Sequence, residues 1–185
     1  MDWALNEKSN GAYATGTLKI GKEGDFVTSP SLGCDFAELL AVQIVDWFDQ
    51  LDNANDKLTR LCLIEIGPGE GQLSKDLIKA IDLISPSLLN RIELILIEEN
   101  EGMMKRQKEN LKELPINKIA WKSIRQLSES PVEGIILANE FIDALPVERL
   151  IFRNKKLYRQ GIQMFENDGD RYIKYIDLPL TQELS

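Results

Sequence analysis

The sequence contains no histidine among its 185 residues. This absence excludes from the chain a Ser-His-Asp triad, a Cys-His pair and any zinc site with histidine ligands. Any chemistry that the chain performs must therefore use carboxylates, amides, hydroxyls or a bound cofactor.

Cysteine and net positive charge are also scarce. Cys34 and Cys62 lie far apart with no second thiol at metal-ligand spacing, and Cys62 sits inside an apolar run. We therefore expect Cys62 to be a buried, reduced thiol. The 30 acidic residues outnumber the 22 basic ones, which gives a net charge of −8. Such a surface repels phosphate backbones, so we expect no nucleic-acid partner, whereas a cationic partner is compatible.

Long apolar runs are missing as well. No run approaches the roughly 20 residues that a helix needs to cross a bilayer. Residues 1–6 have neither the basic nor the apolar region of a secretion signal. We expect no membrane association and a cytoplasmic location. A content of 43% hydrophobic and 28% charged residues is typical of a globular protein.

Apolar periodicity predicts helices that alternate with buried strands. Apolar residues three and four positions apart predict a helix over 36–51, with Ser29-Pro30-Ser31 as capping residues ahead of it. The run at 61–66 is typical of a strand buried on both faces of a parallel sheet. Further along we expect a helix at 72–84, a strand at 94–97, a helix from a cap at Asn100 to Leu114, a weak strand at 119–121 and a strand at 134–138.

This alternation predicts an α/β fold with a doubly wound, Rossmann-like parallel sheet. The pattern changes after residue 147, where segments near 148–153, 156–165 and 171–177 are separated by turn residues and predict an antiparallel β meander. We divide the chain into an N-terminal helix end and loop (1–30), a Rossmann-like cofactor-binding domain (31–147) and an antiparallel β extension (148–185).

The loop after the first strand reads E-I-G-P-G-E-G-Q, with glycines at 67, 69 and 71. In doubly wound sheets ligands bind beyond the carboxyl ends of the strands, where this loop lies. The dinucleotide fingerprint would require glycine at position 72, which is Gln72, and the lysine of a P-loop is also missing. The E-x-G-x-G-x-G pattern is typical of S-adenosylmethionine-dependent methyltransferases. The alternative is an ordinary tight turn that favours glycine.

Acids accompany the loop. S-adenosylmethionine carries a sulfonium cation, an ammonium group and a ribose with two free hydroxyls. Glu65 is therefore our candidate for its amino-acid end, and Glu98, at the tip of the second strand, for the ribose hydroxyls. The alternative for Glu98 is that it complements the dipole of the helix that follows.

A second polar block follows the fourth strand. Asn139, Glu140 and Asp143 leave a buried strand across the reversal point from the glycine loop, and an amide and two carboxylates are costly there unless paired. We take these three as the candidate catalytic residues, near a methyl acceptor. The alternative is that Asn139 and Asp143 cap a short turn.

These motifs together resemble the MidA-type methyltransferases, whose mitochondrial members assist complex I assembly by dimethylating an arginine of a complex I subunit. The matching blocks are G-D-F-V-T-S-P (24–30), F-A-E-L-L (36–40), the glycine loop (65–71), Glu98 with Gln107 downstream, Trp121, and N-E-F-I-D-A-L-P (139–146). The sequence departs from the family at Ser31, Ala37 and Glu101, where an acid, a glycine and a proline are usual.

The resemblance implies a class I methyltransferase sheet that binds S-adenosyl-L-methionine. It places the cofactor on Gly67, Pro68, Gly69 and Gly71, with Glu98 on the ribose. It also implies that Thr28, Ser29 and Pro30 form part of the pocket wall, and we include Ser123, after the third strand, in the cofactor-binding set. Family members are longer, so we expect a sheet that is incomplete on its C-terminal side and residues 148–185 to begin a substrate-side region.

The activity implied is S-adenosylmethionine-dependent methylation of a protein arginine, with a respiratory-complex subunit as the candidate partner. The location would be the mitochondrial matrix in a eukaryote, although no transit peptide is seen. One alternative is a non-catalytic cofactor-binding or assembly module with this fold. The other is a nicotinamide or flavin enzyme, which Gln72 disfavours.

Overall fold

A computed structural model of the chain describes residues 2–19, 24–54, 60–116 and 118–182. The chain divides into two compact units, Met1–Leu145 and Pro146–Ser185. Each unit has its own sheet.

Helices and strands alternate through most of the first unit. In chain order its elements are α1 (Asp2–Asn6), α2 (Ser29–Leu32), α3 (Asp35–Ala54), β1 (Leu61–Ile66), α4 (Gln72–Ile84), α5 (Pro86–Leu89), β2 (Ile92–Ile97), α6 (Glu101–Leu111), β3 (Ile119–Lys122), α7 (Ile124–Glu129), β4 (Gly134–Leu137) and a 3₁₀ turn (Ile142–Ala144).

The four strands of this unit form one parallel sheet in the order β3-β2-β1-β4. Leu63 in β1 is level with Leu94 in β2 on one side and with Ile135 in β4 on the other. The chain therefore winds outward from β1 through β2 to β3 and then returns to the opposite side of β1. This confirms the predicted α/β class and places the winding reversal between β1 and β4.

Both faces of the two central strands are covered, as their apolar runs predict. Leu61 and Leu63 of β1 pack with the buried faces of α3 and α4, while Cys62 and Ile64 point to the opposite face. Strand alternation produces this division, because successive side chains point to opposite faces. Cys62 is a buried free thiol, as expected.

Helix α3 buries a different stripe from the one its largest residues suggest. The buried positions include Ala37, Ala41 and Phe48, whereas Phe36 and Trp47 are 38% and 41% exposed. The helix lies against α4 and β4. Alanines on the contact face allow a close approach there, so Ala37 and Ala41 face the core together with Phe48, while Phe36 and Trp47 stay partly exposed.

Several boundaries differ from the predicted ones. Strand β2 begins at Ile92 rather than at 94, and α6 ends at Leu111 rather than at Leu114. Ser29-Pro30-Ser31 forms part of the short helix α2 instead of capping α3. The predicted helix at 72–84 agrees with α4 at both ends.

The second unit is a meander of β5 (Leu150–Arg153), β6 (Lys156–Asn167) and β7 (Asp170–Leu178), paired in the antiparallel order β5-β6-β7. Two-residue turns join the strands. Asn154 and Lys155 have φ of +48° and +62°, and Asp168 and Gly169 have φ of +51° and +86°. Positive φ at both central residues is the backbone of type I′ hairpin turns, which the Asn-Lys and Asp-Gly pairs supply. The predicted meander is confirmed.

Among the residues that the structure describes, no helix combines the length and the apolarity that a bilayer-spanning segment requires.

An ion pair ties α3 to the start of β2. Asp52, the polar member of the buried stripe, accepts two hydrogen bonds from the guanidinium of Arg91, at 2.5 and 2.7 Å. Arg91 directly precedes β2, so the end of α3 lies at the amino edge of the sheet. A two-pronged pair of this kind holds the helix in register with the sheet.

The Asp52→Asn substitution removes one acceptor oxygen and the charge from this pair. We expect it to lower the free energy of unfolding by about 1–3 kcal/mol, because the partly buried guanidinium keeps one neutral acceptor in place of a two-pronged carboxylate. Urea unfolding followed by tryptophan fluorescence measures this loss, since all three tryptophans belong to the first unit. The control Asp46→Asn, on the exposed face of α3, should stay within about 0.5 kcal/mol of the parent. Equal effects of the two changes would contradict the assignment.

Candidate active site

The glycine loop has a backbone that other residues rarely adopt. Gly67, Gly69 and Gly71 have φ of +65°, +55° and +82°. At Gly67 a second constraint applies, because an added Cβ atom would lie 2.4 Å from Cδ2 of Phe141. Phe141 belongs to the polar block after β4. The loop after β1 and the block after β4 are therefore in direct contact at the point where the winding reverses.

Glu65, near the end of β1, connects the two ends of the glycine loop. Its carboxylate is buried and accepts hydrogen bonds from the hydroxyl and from the backbone N–H of Ser74, in the first turn of α4. Gly71 occupies the N-cap position of α4 and has no side chain to cap the helix. Glu65 supplies that cap from the preceding strand, where the helix dipole favours an acid. Burial raises the pKa of Glu65 to about 7, and the hydrogen bonds from Ser74 oppose that shift.

Glu98 lies at the carboxyl end of β2 and is half-buried. One carboxylate oxygen, Oε1, accepts hydrogen bonds from the backbone N–H groups of Glu99 (3.0 Å) and Asn100 (2.9 Å). Burial raises the pKa of Glu98, and the hydrogen bonds from Asn100 and Gln107 oppose that shift. The side chain of Asn100 does not cap α6, contrary to expectation. Glu98 thus bonds the backbone at the start of α6, as its alternative role predicts. Because its side chain is only half-buried, it can still accept hydrogen bonds from hydroxyl groups.

Gln107 connects three strand ends and was not among the predicted site residues. Its amide nitrogen donates to the carbonyl of Gly69 (2.7 Å) and to Oε2 of Glu98 (3.1 Å), and its oxygen accepts from the indole N–H of Trp121 (2.9 Å). The sequence contained a signal for it, because Gln107 is the polar member of the buried stripe Met103-Gln107-Leu111 of α6. A buried amide at such a position needs partners.

The N-terminal segment reaches the same region. Arg106 donates to the carbonyl of Leu18 (2.6 Å) and to the carboxylate of Glu70 in the glycine loop (2.8 Å). Gly16 and Gly102 approach so closely that a Cβ atom on Gly102 would lie 2.5 Å from the nitrogen of Gly16. Residues 16–18 therefore lie against α6 beside the loop.

The block after β4 is more exposed than the glycine loop. Asn139 is half-buried, whereas Glu140 and Asp143 are exposed. Glu140 has a φ of +51°, and every other non-glycine residue with positive φ in the described part of the chain lies in a hairpin turn. The N-cap position of the 3₁₀ turn is occupied by Phe141 without a side-chain hydrogen bond, so Asp143 does not cap it. Backbone strain at a non-glycine residue outside a turn is a common feature of functional sites.

The remaining predicted residues lie on neighbouring elements. Ser29 and Pro30 belong to α2, which lies against α4 and α3, and the half-buried Thr28 precedes it. Ser123 caps α7, since its hydroxyl accepts from the Gln126 N–H (3.1 Å) and the Gln126 side chain accepts from the Ser123 N–H (2.8 Å). The S-x-x-Q spacing is the sequence signal of this capping box. Ser123 therefore has a structural role in the chain.

The arrangement as a whole brings backbone polar groups and carboxylates together at the carboxyl edge of the sheet. Because the strands are parallel, the glycine loop, Glu98 and Asn139-Glu140 all follow the carboxyl ends of strands. A ligand with hydroxyl and cationic groups suits carboxylates at this edge. A pyrophosphate suits it poorly, since Gln72 carries a side chain, bonded to Asp76 at 2.7 Å, where the dinucleotide fingerprint has glycine.

Comparison with known proteins agrees with this description. A family model described as "Putative S-adenosyl-L-methionine-dependent methyltransferase" matches residues 39–185. The mitochondrial protein arginine methyltransferase NDUFAF7 of Rattus norvegicus is 29% identical over 168 residues, which is 80% of this chain and 37% of that protein. The corresponding Bos taurus protein is 30% identical with the same coverage. The chain thus spans 37% of the length of these curated relatives.

A solved structure shares the fold. It is a methyl transferase-like protein from Burkholderia thailandensis bound to S-adenosyl-homocysteine, with a TM-score of 0.72 and 23% sequence identity. The similarity covers 99% of this chain and 46% of that one. Both units of the chain therefore have counterparts in a larger protein.

The raised pKa of Glu65 gives the protein a testable pH dependence. The folded state holds the proton up to a pKa of about 7, against 4.5 for an ordinary glutamate. The folded state therefore binds more protons between these values, and stability should fall as pH rises through that window. A difference of this size corresponds to up to about 3 kcal/mol.

Glu65→Gln keeps the acceptor oxygen for Ser74 and removes the ionisation. We expect this variant to lose much of the decline in unfolding free energy between pH 5 and about pH 8, as measured by urea unfolding at each pH. Glu133→Gln, an exposed acid, is the matched control and should keep the decline. An unchanged pH profile in the Glu65 variant would show that this carboxyl titrates normally.

Gly67→Ala tests the contact between the two halves of the site. An alanine at positive φ costs about 1–2 kcal/mol, and here a clash with the Phe141 ring adds to it. Gly71→Ala is the matched control, because its φ is also positive but its Cβ atom would meet Leu111 at an ordinary 3.4 Å. Thermal unfolding should show a larger loss for Gly67→Ala. If Gly71→Ala loses as much or more, Phe141 does not restrict the loop.

Proposed function

The chain belongs to the S-adenosyl-L-methionine-dependent methyltransferase family whose model matches residues 39–185, and from this membership we propose that it binds S-adenosyl-L-methionine at the carboxyl edge of its parallel sheet. The observation that carries the proposal is the glycine loop, with three positive φ values, held between Glu65 below and Gln107 and Glu98 beside it. A close approach of a ligand to the backbone is possible there, and carboxylates suit its cationic and hydroxyl groups.

The proposed binding residues lie in or near the loops at the carboxyl edge of the sheet. Glu98 accepts the ribose hydroxyls, and Glu65 acts on the amino-acid end through the loop that it fixes. The remaining members of the proposed set are Gly67, Pro68, Gly69 and Gly71 in the loop, Thr28, Ser29 and Pro30 at α2, and Ser123 at α7. Residues 148–185 begin the substrate-side region in this proposal.

The proposed reaction is methylation of a protein arginine. The cofactor supplies a methyl group on an electrophilic sulfonium centre. Arginine is a weak nucleophile because its guanidinium stays protonated. A nitrogen of the guanidinium would form the bond to the methyl carbon as the sulfur–carbon bond breaks, and S-adenosylhomocysteine would leave. We assign to Glu140 the task of holding the guanidinium through two parallel hydrogen bonds and receiving the proton that this nitrogen loses, with Asn139 and Asp143 beside it. The strained backbone of Glu140 and the contact of the neighbouring Phe141 with Gly67 support this assignment.

The names of the curated relatives support arginine as the acceptor and a mitochondrial location if the chain is eukaryotic. A respiratory-complex subunit is our candidate for the acceptor protein, and the cytoplasm is the proposed location in a bacterium.

Thermal shift separates the proposed cofactor from a nicotinamide. At a ligand concentration about 100 times its Kd, S-adenosylhomocysteine should raise the unfolding midpoint by roughly 5–10 °C, because it binds the folded state alone. NAD at the same concentration should leave the midpoint unchanged. Stabilisation by NAD and not by S-adenosylhomocysteine would refute the proposal.

Glu140→Gln tests the acceptor site in the protein that carries this chain. We expect a loss of roughly 100-fold or more in arginine methylation, measured by mass spectrometry, with cofactor affinity retained. The control Glu133→Gln changes an exposed acid at the other end of β4 and should leave turnover intact. Unchanged turnover in Glu140→Gln would remove this residue from its role. Cofactor binding by the parent protein without transfer to any protein arginine would instead favour a non-catalytic assembly module.

A further inference from the structure

The amide of Gln107 is completely buried, and both its NH₂ group and its oxygen are hydrogen-bonded. Its solvent-exposed fraction is 0%. The two N–H groups point to the Gly69 carbonyl and to Oε2 of Glu98, and the oxygen receives the Trp121 indole. Burial of an amide costs free energy unless its hydrogen bonds are made. This side chain therefore holds its three partners at fixed separations.

The three partners together determine which way the amide faces, and Trp121 is the donor among them. An indole N–H can only donate, whereas the Gly69 carbonyl and the Glu98 carboxylate accept. A flipped Gln107 would place its NH₂ group against another donor and its oxygen against two acceptors. The observed orientation is thus the one that satisfies every partner. Trp121 stabilises this orientation by donating to the amide oxygen, while the Gly69 carbonyl and Glu98 favour it by accepting from the NH₂ group.

Glu98 is held on both oxygens as a result. The backbone N–H groups of Glu99 and Asn100 bond to Oε1, and Gln107 bonds to Oε2. The carboxylate plane is consequently fixed before any ligand arrives. Fixed acceptors select ligands by their hydroxyl donors more strongly than mobile ones do, because the ordering cost is already met.

We infer that Gln107 is a positioning residue that presents the Glu98 carboxylate to a ribose diol and ties it to the glycine loop. The inference rests on the proposed function, since it concerns the same site. In this role Gln107 acts through Glu98 and Gly69 and sets discrimination between ribose and deoxyribose, with the indole of Trp121 as its orienting partner.

The test compares two ligands by isothermal titration calorimetry of the 185-residue chain. The ligands are S-adenosylhomocysteine and its 2′-deoxy analogue. In the parent chain we expect the analogue to bind about tenfold more weakly, because one hydroxyl donor to Glu98 is missing. In Gln107→Leu the ratio of the two Kd values should fall below about threefold. A merely structural effect would weaken both ligands alike and leave the ratio unchanged.

Two further variants sharpen the comparison. Gln50→Leu makes the same change on an exposed glutamine of α3, near the amino edge of the sheet, and should keep the parent ratio. Trp121→Phe removes the indole N–H donor to the amide oxygen and keeps an aromatic ring, and it should lower the ratio to a value between the parent and Gln107→Leu. If Gln107→Leu does not fold, as judged by circular dichroism, the Trp121 variant decides the question. The double variant Gln107→Leu/Trp121→Phe should have the same ratio of Kd values as Gln107→Leu alone, because both changes act on one amide.

The outcomes distinguish a failure of the proposed function from a failure of the inference. A parent chain that binds no S-adenosylhomocysteine overturns the proposed function and this inference together. A parent chain that binds it with a ratio near one overturns this inference and the assignment of Glu98 to the ribose, but leaves cofactor binding standing. A Gln107→Leu or Trp121→Phe chain that keeps the parent ratio overturns the inference alone.

Discussion

The hydrogen bond between Glu65 and Ser74 is the interaction on which the site depends. It joins the end of β1 to the first turn of α4 beneath a loop that has no side-chain cap of its own. The segment that contains the loop glycines is therefore held at both ends, which restricts the conformational freedom that glycine has. The interaction carries a cost, since burial favours the neutral form of Glu65 and raises its pKa to about 7.

Further contacts extend this constraint across the sheet edge. Gln107 ties the loop to the ends of β2 and β3, Arg106 ties it to the N-terminal segment, and Phe141 closes on Gly67 from the β4 side. Arg106 and Gln107 are neighbours on α6, whereas Phe141 follows β4. The two sides of the winding reversal are thus joined where the Phe141 side chain lies against Gly67, and a ligand at this edge would meet groups that are already ordered.

Much of the fold follows from local sequence. The apolar runs of β1 and β2 predict strands with both faces buried, and turn residues predict the meander. The sequence also predicts the glycine loop, because glycines at alternate positions directly after a buried strand indicate a turn whose backbone needs positive φ. The buried stripe of α3 was harder to predict from the sequence. In the packing against α4 and β4, Ala37 and Ala41 are buried, whereas Phe36 and Trp47 stay partly exposed.

Local sequence patterns do not predict the hydrogen bonds that connect the residues of the site. The bond of Glu65 to Ser74 crosses the loop, and that of Gln107 to Gly69 joins residues 38 positions apart. Such pairs depend on sheet order and helix placement, which tertiary packing decides.

The most direct test of the proposed cofactor site is a crystal structure of the chain with S-adenosylhomocysteine. We expect the ligand to lie against the glycine loop with its ribose on Glu98. A ligand at the amino edge of the sheet, or a crevice filled by packed side chains, would contradict this placement.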